Sequence, residues 1–320
     1  MATHPAGSLT TVLGDISSPQ DGIVDAHNHL WIHPLPSAKP GIPVLDCTDA
    51  IAESLLAFRA GGGSSILDSQ PGADCGRDGR MLSQLSRASG VHVLACTGFH
   101  RARYYPLGAG FFNLSAEQAR EHFLAEINNG LEECRHQPIP ARAGFIKVAS
   151  EASFADTPRA LVEAAASAAI EQGLLLAVHT ERGADAENIL TGLTALGVSA
   201  SQIMLCHMDK RPDPGLHREL AQSGALLEYD TFHQAKYQPE QKAWPLLLAM
   251  LTDGFHAALA IGTDMASCAQ WRAGENALTL MEQHASIHER LHAEGVPADI
   301  IQRLQTGNIL GRLQRPFEPS

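Results

Sequence analysis

Short apolar runs rich in β-formers recur along the chain, separated by stretches whose apolar positions return every three or four residues. The first pattern marks buried strands and the second amphipathic helices. Strands are expected at the run that opens with Ile23 and Val24 and gives out into His27-Asn28-His29, then at 64–68, 91–97, 143–149, 174–178, 202–206, 225–229 and 256–261. Helices are expected at 48–59, 74–89, 115–134, 158–173, 186–196, 215–223 and 245–253, with two more, 276–294 and 297–305, closing the chain. Gly61-Gly62-Gly63 stops the first helix, and Ser115-Ala-Glu-Gln118 reads as a capping box. An apolar piece at 9–13 before a Gly/Asp/Ser/Pro turn cluster predicts a small strand or hairpin capping the base. Alternation of strand and helix implies a parallel sheet, and eight such units suggest an α/β chain closed into a (β/α)8 TIM barrel. No polar linker divides it, so one domain is expected over 1–320, with a short N-terminal capping segment and C-terminal helices.

The strand ends carry the chemistry. His27 and His29 alternate to one side of their strand, and Lys147, His179, His207 and Asp264 end later strands. The separations of 120, 32, 28 and 57 residues suit strands 1, 4, 5, 6 and 8 of a barrel. C-terminal strand ends form the active-site mouth of that fold, so all six groups can converge. An open doubly wound sheet would give no reason for polar residues to end so many strands. Imidazole and carboxylate donors of this kind suit divalent transition metals. Lys147 sits in the apolar run Phe145-Ile-Lys-Val148, where desolvation lowers an amine's pKa, and a neutral amine can react with carbon dioxide to give a carbamate whose two oxygens bridge two cations. The alternative is an ion pair between Lys147 and Asp264 without metal.

Composition narrows the class. A net charge of −12 and a pI near 5.7 argue against nucleic acid or an anionic membrane as the main partner. No uninterrupted apolar stretch of membrane-spanning length occurs, and the N-terminal residues lack a signal-peptide pattern. The six scattered cysteines read as reduced packing thiols, and a cytoplasmic location is expected.

Taken together, the motifs resemble the phosphotriesterase family of the amidohydrolase superfamily. The matching segments are Val24-Asp-Ala-His-Asn-His-Leu-Trp31, Gly144-Phe-Ile-Lys-Val148, Val178-His-Thr-Glu-Arg-Gly183, Leu205-Cys-His-Met-Asp-Lys-Arg-Pro-Asp213 and Ile261-Gly-Thr-Asp264, with Thr11-Val-Leu-Gly14 and Thr306-Gly-Asn308 at the two ends. The resemblance implies two divalent ions, zinc by default with manganese, cobalt or iron fitting the same donors. His27, His29 and Asp264 would hold the buried ion and His179 and His207 the exposed one. N6-carboxylated Lys147 and a hydroxide would bridge them, and Asp264 would accept the attacking proton.

Cations and phenols in the loops at the mouth suggest an anionic small-molecule substrate. The candidates are Arg101, Arg103, Tyr104 and Tyr105 after the third strand, Lys210 and Arg211 after the sixth, Lys236 and Tyr237 after the seventh, and Arg272 after the eighth. Some members of the resembled family hydrolyse phosphorylated sugar lactones and seat the phosphate with such residues, and Lys236, Tyr237 and Arg272 are similar in kind. The expected function is hydrolytic opening of a phosphorylated or other anionic lactone. The alternatives are an acyl-homoserine lactonase, a phosphotriester or phosphodiester hydrolase, and, outside enzymes, a metal- or ligand-binding barrel. His33, His100 and His233 are further candidates for substrate contact, and the final helices with the Phe111-Phe112 loop for a homodimer contact.

Overall fold

The computed structural model describes residues 7–19, 21–35, 41–138, 140–272 and 278–314. Strands β1 (Ser8–Thr11) and β2 (Gly14–Ser17) form an antiparallel hairpin. It is the expected N-terminal cap: Leu9 is buried among inward-facing strand residues, and the Val12 amide donates to the Val93 carbonyl at 2.9 Å.

Eight strands then alternate with helices. They run β3 (Ile23–Asn28), α1 (Thr48–Ala60), β4 (Gly63–Asp68), α2 (Gly79–Ser89), β5 (His92–Gly98), α3 (Ala116–Asn128), β6 (Ala143–Ala149) and α4 (Arg159–Gln172). The second half is β7 (Leu176–His179), α5 (Ala186–Ala195), β8 (Ile203–Cys206), α6 (Pro214–Gln222), β9 (Leu226–Tyr229), α7 (Ala243–Thr252) and β10 (Leu259–Ile261). Strands β3 to β10 pair in parallel with their sequence neighbours, giving an α/β TIM barrel. Between β10 and β3 the register is carried by two loop amides, Thr263 and Asp264, both donating to the His27 carbonyl at 3.1 and 2.9 Å. Helices α8 (Cys268–Trp271), α9 (Leu280–Ala293), α10 (Ala298–Gln302) and α11 (Asn308–Leu313) close the chain.

Two apolar cores hold the layers. Val24, Leu67, Leu94, Phe145, Leu175, Met204, Leu226 and Ala260 fill the inside of the barrel, and a larger cluster lies between strands and helices. Among the described residues, no helix is long and apolar enough to cross a membrane. The six cysteines are free thiols, five of them buried.

The structure departs from the sequence pattern where backbone chemistry intervenes. The helix expected at 74–89 starts only at Gly79, capped by the Asp78 side chain, because Gly76 turns left-handed (φ 97°) after a short 3-10 turn. The helix expected to reach 134 ends at Asn128, before Gly130 (φ 121°). The last strand begins at Leu259 rather than 256, since Phe255–Ala258 is a 3-10 turn. α9 starts at the Thr279 capping box, and 276 and 277, the first residues of the expected helix, lie with 273–275 outside the described residues. The final helix does not stop at 305 but passes through a π-helical turn, Arg303–Gly307, into α11, and the turn's Thr306 hydroxyl donates to the Gly22 carbonyl at 2.8 Å beneath β3.

Candidate metal centre at the barrel mouth

The six expected groups share one cavity of about 140 Å³ at the C-terminal ends of the strands. Its lining includes His27, His29, Lys147, His179, His207 and Asp264, together with the polar or aromatic Gln70, Cys75, His100 and Tyr104 and the apolar Ile32, Ile42, Pro43 and Ala266.

Local backbone deviations aim the ligands. Inward positions on β6 and β7 keep the strand alternation, Phe145 to Lys147 and Ala177 to His179. On β3 the inward residues are Val24 and Ala26, so plain alternation would send His27 outward. The ladder with β4 instead passes from Asp25↔Ile66 to Asn28↔Asp68, one extra residue on β3, and this bulge turns His27 and His29 into the mouth. His207 (φ 63°) and Asp264 (φ 47°) adopt left-handed backbone just past their strands, a conformation that costs a non-glycine residue energy and that clusters at functional sites. Glycines make room at two close approaches: a Cβ at Gly262 would collide with Glu228 Oε1, and one at Gly98 (φ 114°) with the Lys147 carbonyl.

The donor geometry converges on two adjacent points. Asp264 Oδ1 lies 3.8 Å from His27 Nε2 and 3.7 Å from His29 Nε2, and these donors sit within 4.8 Å of one another. His179 Nδ1 and His207 Nε2 face each other at 2.9 Å. Lys147, 1 % exposed, donates to the Ser69 carbonyl at 2.8 Å. The lysine paired with Asp264 is Lys210, 3.4 Å from Oδ2, and not Lys147.

Burial keeps the imidazoles neutral. It is the first cause of lowered pKa at His27, His179 and His207, and with the nearby Lys147 charge it brings His29 down to about 3. Burial pushes Asp264 up, but His207 and Lys210 beside it outweigh that, and its carboxyl lies below the ordinary value. The site thus offers neutral nitrogens and an ionised carboxylate, the protonation states metal ligation requires. Both nitrogens of His27, Nδ1 of His29 and Nε2 of His179 are buried without a hydrogen-bond partner. Orphaned polar atoms in a shared cavity fit bound cations better than a finished core.

Carboxylates behind the histidines complete the arrangement. Asp230 makes a short contact with His207 Nδ1, Glu228 Oε2 accepts from the His207 amide at 2.9 Å, and Glu181 Oε2 lies 3.9 Å from His179 Nε2. Such partners fix which ring nitrogen remains free for a metal. Lys210 Nζ is 3.4 Å from both Asp230 Oδ1 and Asp264 Oδ2; burial opposes its charge, and the two aspartates raise its pKa in spite of it. Glu228 and Asp230 were not among the residues expected from the sequence. The signal was present, since Leu226, Glu228 and Asp230 share the inward phase of their strand.

The expected substrate residues divide. Tyr104 lines the cavity and packs on His100, ring centroids 4.2 Å apart. Arg101 is engaged by Glu151 (2.7 Å) and Glu181, and Arg211 by Glu187 (3.0 Å). Tyr237 and Lys236 do not line the cavity, and the ammonium nitrogens of Lys210 and Lys236 lie 5.1 and 4.9 Å from the Tyr237 ring centre. Arg272 is exposed and does not line the cavity. Of the further histidines, His100 packs on His179 at 5.1 Å, whereas His33 is exposed and His233 turns to the Gln283 carbonyl at 3.2 Å. Phe111 and Phe112 pack against Tyr105, leaving Leu107 at the loop tip 74 % exposed.

Similarity to known proteins agrees with this geometry. The chain is 29% identical over 242 residues to a phospho-furanose lactonase of Mycoplasmopsis synoviae, a match covering 72% of this chain and 68% of that one. It is 26% identical over 260 residues to N-acetyltaurine hydrolase of Rattus norvegicus, covering 71% and 72%. Its fold matches the crystal structure of an amidohydrolase from Mycoplasma synoviae with a TM-score of 0.87 at 24% identity, over 98% of this chain and 93% of that one. Residues 7–306 match the profile of the Phosphotriesterase family. The chain belongs to that family and is a metal-dependent hydrolase.

Proposed function

We propose that this protein opens lactone rings, with a phosphorylated furanose lactone or a similar anionic lactone as substrate. The observation that carries the reading is the convergence of His27, His29, Lys147, His179, His207 and Asp264 on one cavity, with His27 Nε2 and His29 Nε2 3.8 and 3.7 Å from Asp264 Oδ1. His27, His29 and Asp264 would hold one divalent ion and His179 and His207 a second, with carboxylated Lys147 between them. Bound there, such ions supply Lewis acidity toward the substrate's carbonyl oxygen and water acidified toward neutral pH. Zinc is the expected metal, and manganese, cobalt or iron suit the same donors.

The chain's own groups do the rest. Asp264, ionised and steadied by Lys210, accepts the proton of the attacking water. The ester C–O bond of the ring breaks, the ring oxygen leaves as a hydroxyl, and a hydroxy acid with one net proton is released. Tyr104 and His100 wall one flank of the cavity. Lys236 and Tyr237, joined to the site through Lys210 beside Asp264, are the proposed seat of the substrate's phosphate, whereas Arg101 is already shared by two glutamates.

A proton-release assay on metal-loaded protein tests this. A five-carbon aldonolactone is compared with its 5-phosphate and a phosphotriester, and N-acetyltaurine is followed by the free amine it releases, because the ammonium formed takes up the acid's proton. Strong preference for the phosphorylated lactone supports the reading in full, and better turnover of the plain lactone removes the phosphate seat. Turnover of the sulfonated amide alone replaces the lactone with the second reading, an anionic amide, which the similarity to N-acetyltaurine hydrolase favours.

A further inference from the structure

The first and eighth barrel strands meet at the metal-binding end through buried side chains. Asn28, the last residue of β3 and between His27 and His29, uses all four of its hydrogen-bonding capacities. Its Oδ1 accepts from the His29 amide at 2.8 Å and the Met265 amide at 3.2 Å. Its Nδ2 donates to Asp25 Oδ2 and to Thr263 Oγ1, both at 2.8 Å. The Thr263 hydroxyl in turn donates to Asp25 Oδ2 at 2.6 Å, and Asp25 Oδ1 accepts from the His27 amide at 3.1 Å. His284 of α9 closes the far side, its Nε2 3.5 Å from Asp25 Oδ2. Asp25, Asn28 and Thr263 are at most 4 % exposed, so water does not replace a lost partner cheaply.

The network grips the amides of His27 and His29 on one side, and Thr263 and Met265, which flank Asp264, on the other. We propose that Asp25, Asn28 and Thr263 form a positioning clamp across this seam, setting the separation of His27, His29 and Asp264 and hence the affinity of the ion they share. This rests on the reading of those three residues as ligands of one ion. The clamp explains how the bulged turn of β3 and the left-handed backbone of Asp264 stay in register with no ladder between their strands: Asp25, Asn28 and Thr263 are hydrogen-bonded to one another and to the flanking amides, which favours one geometry. It predicts that the two metal sites respond differently to the same substitution, because His179 and His207 stand on β7 and β8, away from the seam.

The test titrates metal-free protein with zinc and cobalt, following stoichiometry, the affinity of each site, cobalt absorption and thermal unfolding of the metal-free chain. Thr263→Val keeps the shape and removes the hydroxyl. It is expected to weaken the site that His27→Ala abolishes by roughly 10- to 100-fold, the range typical for partners that orient metal ligands. The other site stays as in the wild type, and Thr263→Ser restores the first. Unchanged affinity, or equal weakening of both sites, overturns the clamp. If His27→Ala binds metal as the wild type does, the ligand reading fails and the clamp with it. Should Thr263→Val not fold, Thr263→Ala carries the same expectation.

Discussion

The floor and the mouth of this barrel are built on the same strands and obey opposite rules. At the floor Val24, Phe145, Ala177 and Ala260 bury apolar side chains against one another. A few residues further along, the same strands bury His27, Lys147, His179 and, just beyond the eighth strand, Asp264. The floor repays chain ordering through packing and removal of apolar surface from water. The mouth buries polar atoms, leaves several unpartnered and places two ligands on left-handed backbone. Stability should therefore respond to the floor and activity to the mouth.

The largest effect is expected at the mouth. Asp264→Asn removes the proton acceptor and one ligand atom's charge while keeping the shape; turnover should fall at least 10²- to 10⁴-fold, on the order of a lost general base, with unfolding nearly unchanged. Equal activity would remove Asp264 from the mechanism. Next come Phe145→Ala and Lys147→Ala, inward positions one strand period apart. The first should cost about 3–5 kcal/mol in denaturant unfolding yet leave metal stoichiometry intact in the folded fraction. The second should lose metal and activity, partly recovered with bicarbonate or short carboxylic acids. If the lysine variant kept its metal, carboxylation would leave the proposal.

Acid sharpens the comparison further. The buried histidines have pKa values below the ordinary 6.5, so under mildly acidic conditions the unfolded chain binds protons that the fold refuses. Stability of the metal-free protein is thus full above about pH 6.5 and lost as the pH falls below it, by up to roughly 1.4 kcal/mol per pH unit for each such imidazole. Urea unfolding across this range measures the slope, and a flat profile would mean that the mouth accepts protons without unfolding. The smallest effect is expected away from both regions, where Leu107→Ser should change stability by less than about 0.5 kcal/mol and leave metal content alone.

Much of the mouth was legible because its ligands are polar residues at the ends of apolar runs, where His179, His207 and Asp264 break the pattern. The barrel was legible from the alternation itself. What escaped were features that depend on neighbours. The inward phase of Glu228 and Asp230 was readable, but their contacts with His207 follow only once β9 lies beside β8, and Lys210 reads as a loop cation until Asp230 and Asp264 close around it. Arg101, expected to meet substrate, is claimed by Glu151 and Glu181, which lie 50 and 80 residues away. The break before α2 followed from Gly76, a left-handed turn hidden inside a helical pattern.

The extra residue in β3 makes the catalytic end of that strand depend on pairing register as well as composition. Every residue could be kept and the centre still lost: if the ladder ran straight from 25 to 28 without the bulge, alternation from Val24 and Ala26 would turn His27 and His29 out of the cavity. A lineage can exchange side chains around this site one at a time, but a change that lets this strand pair without its bulge turns both ligands away together.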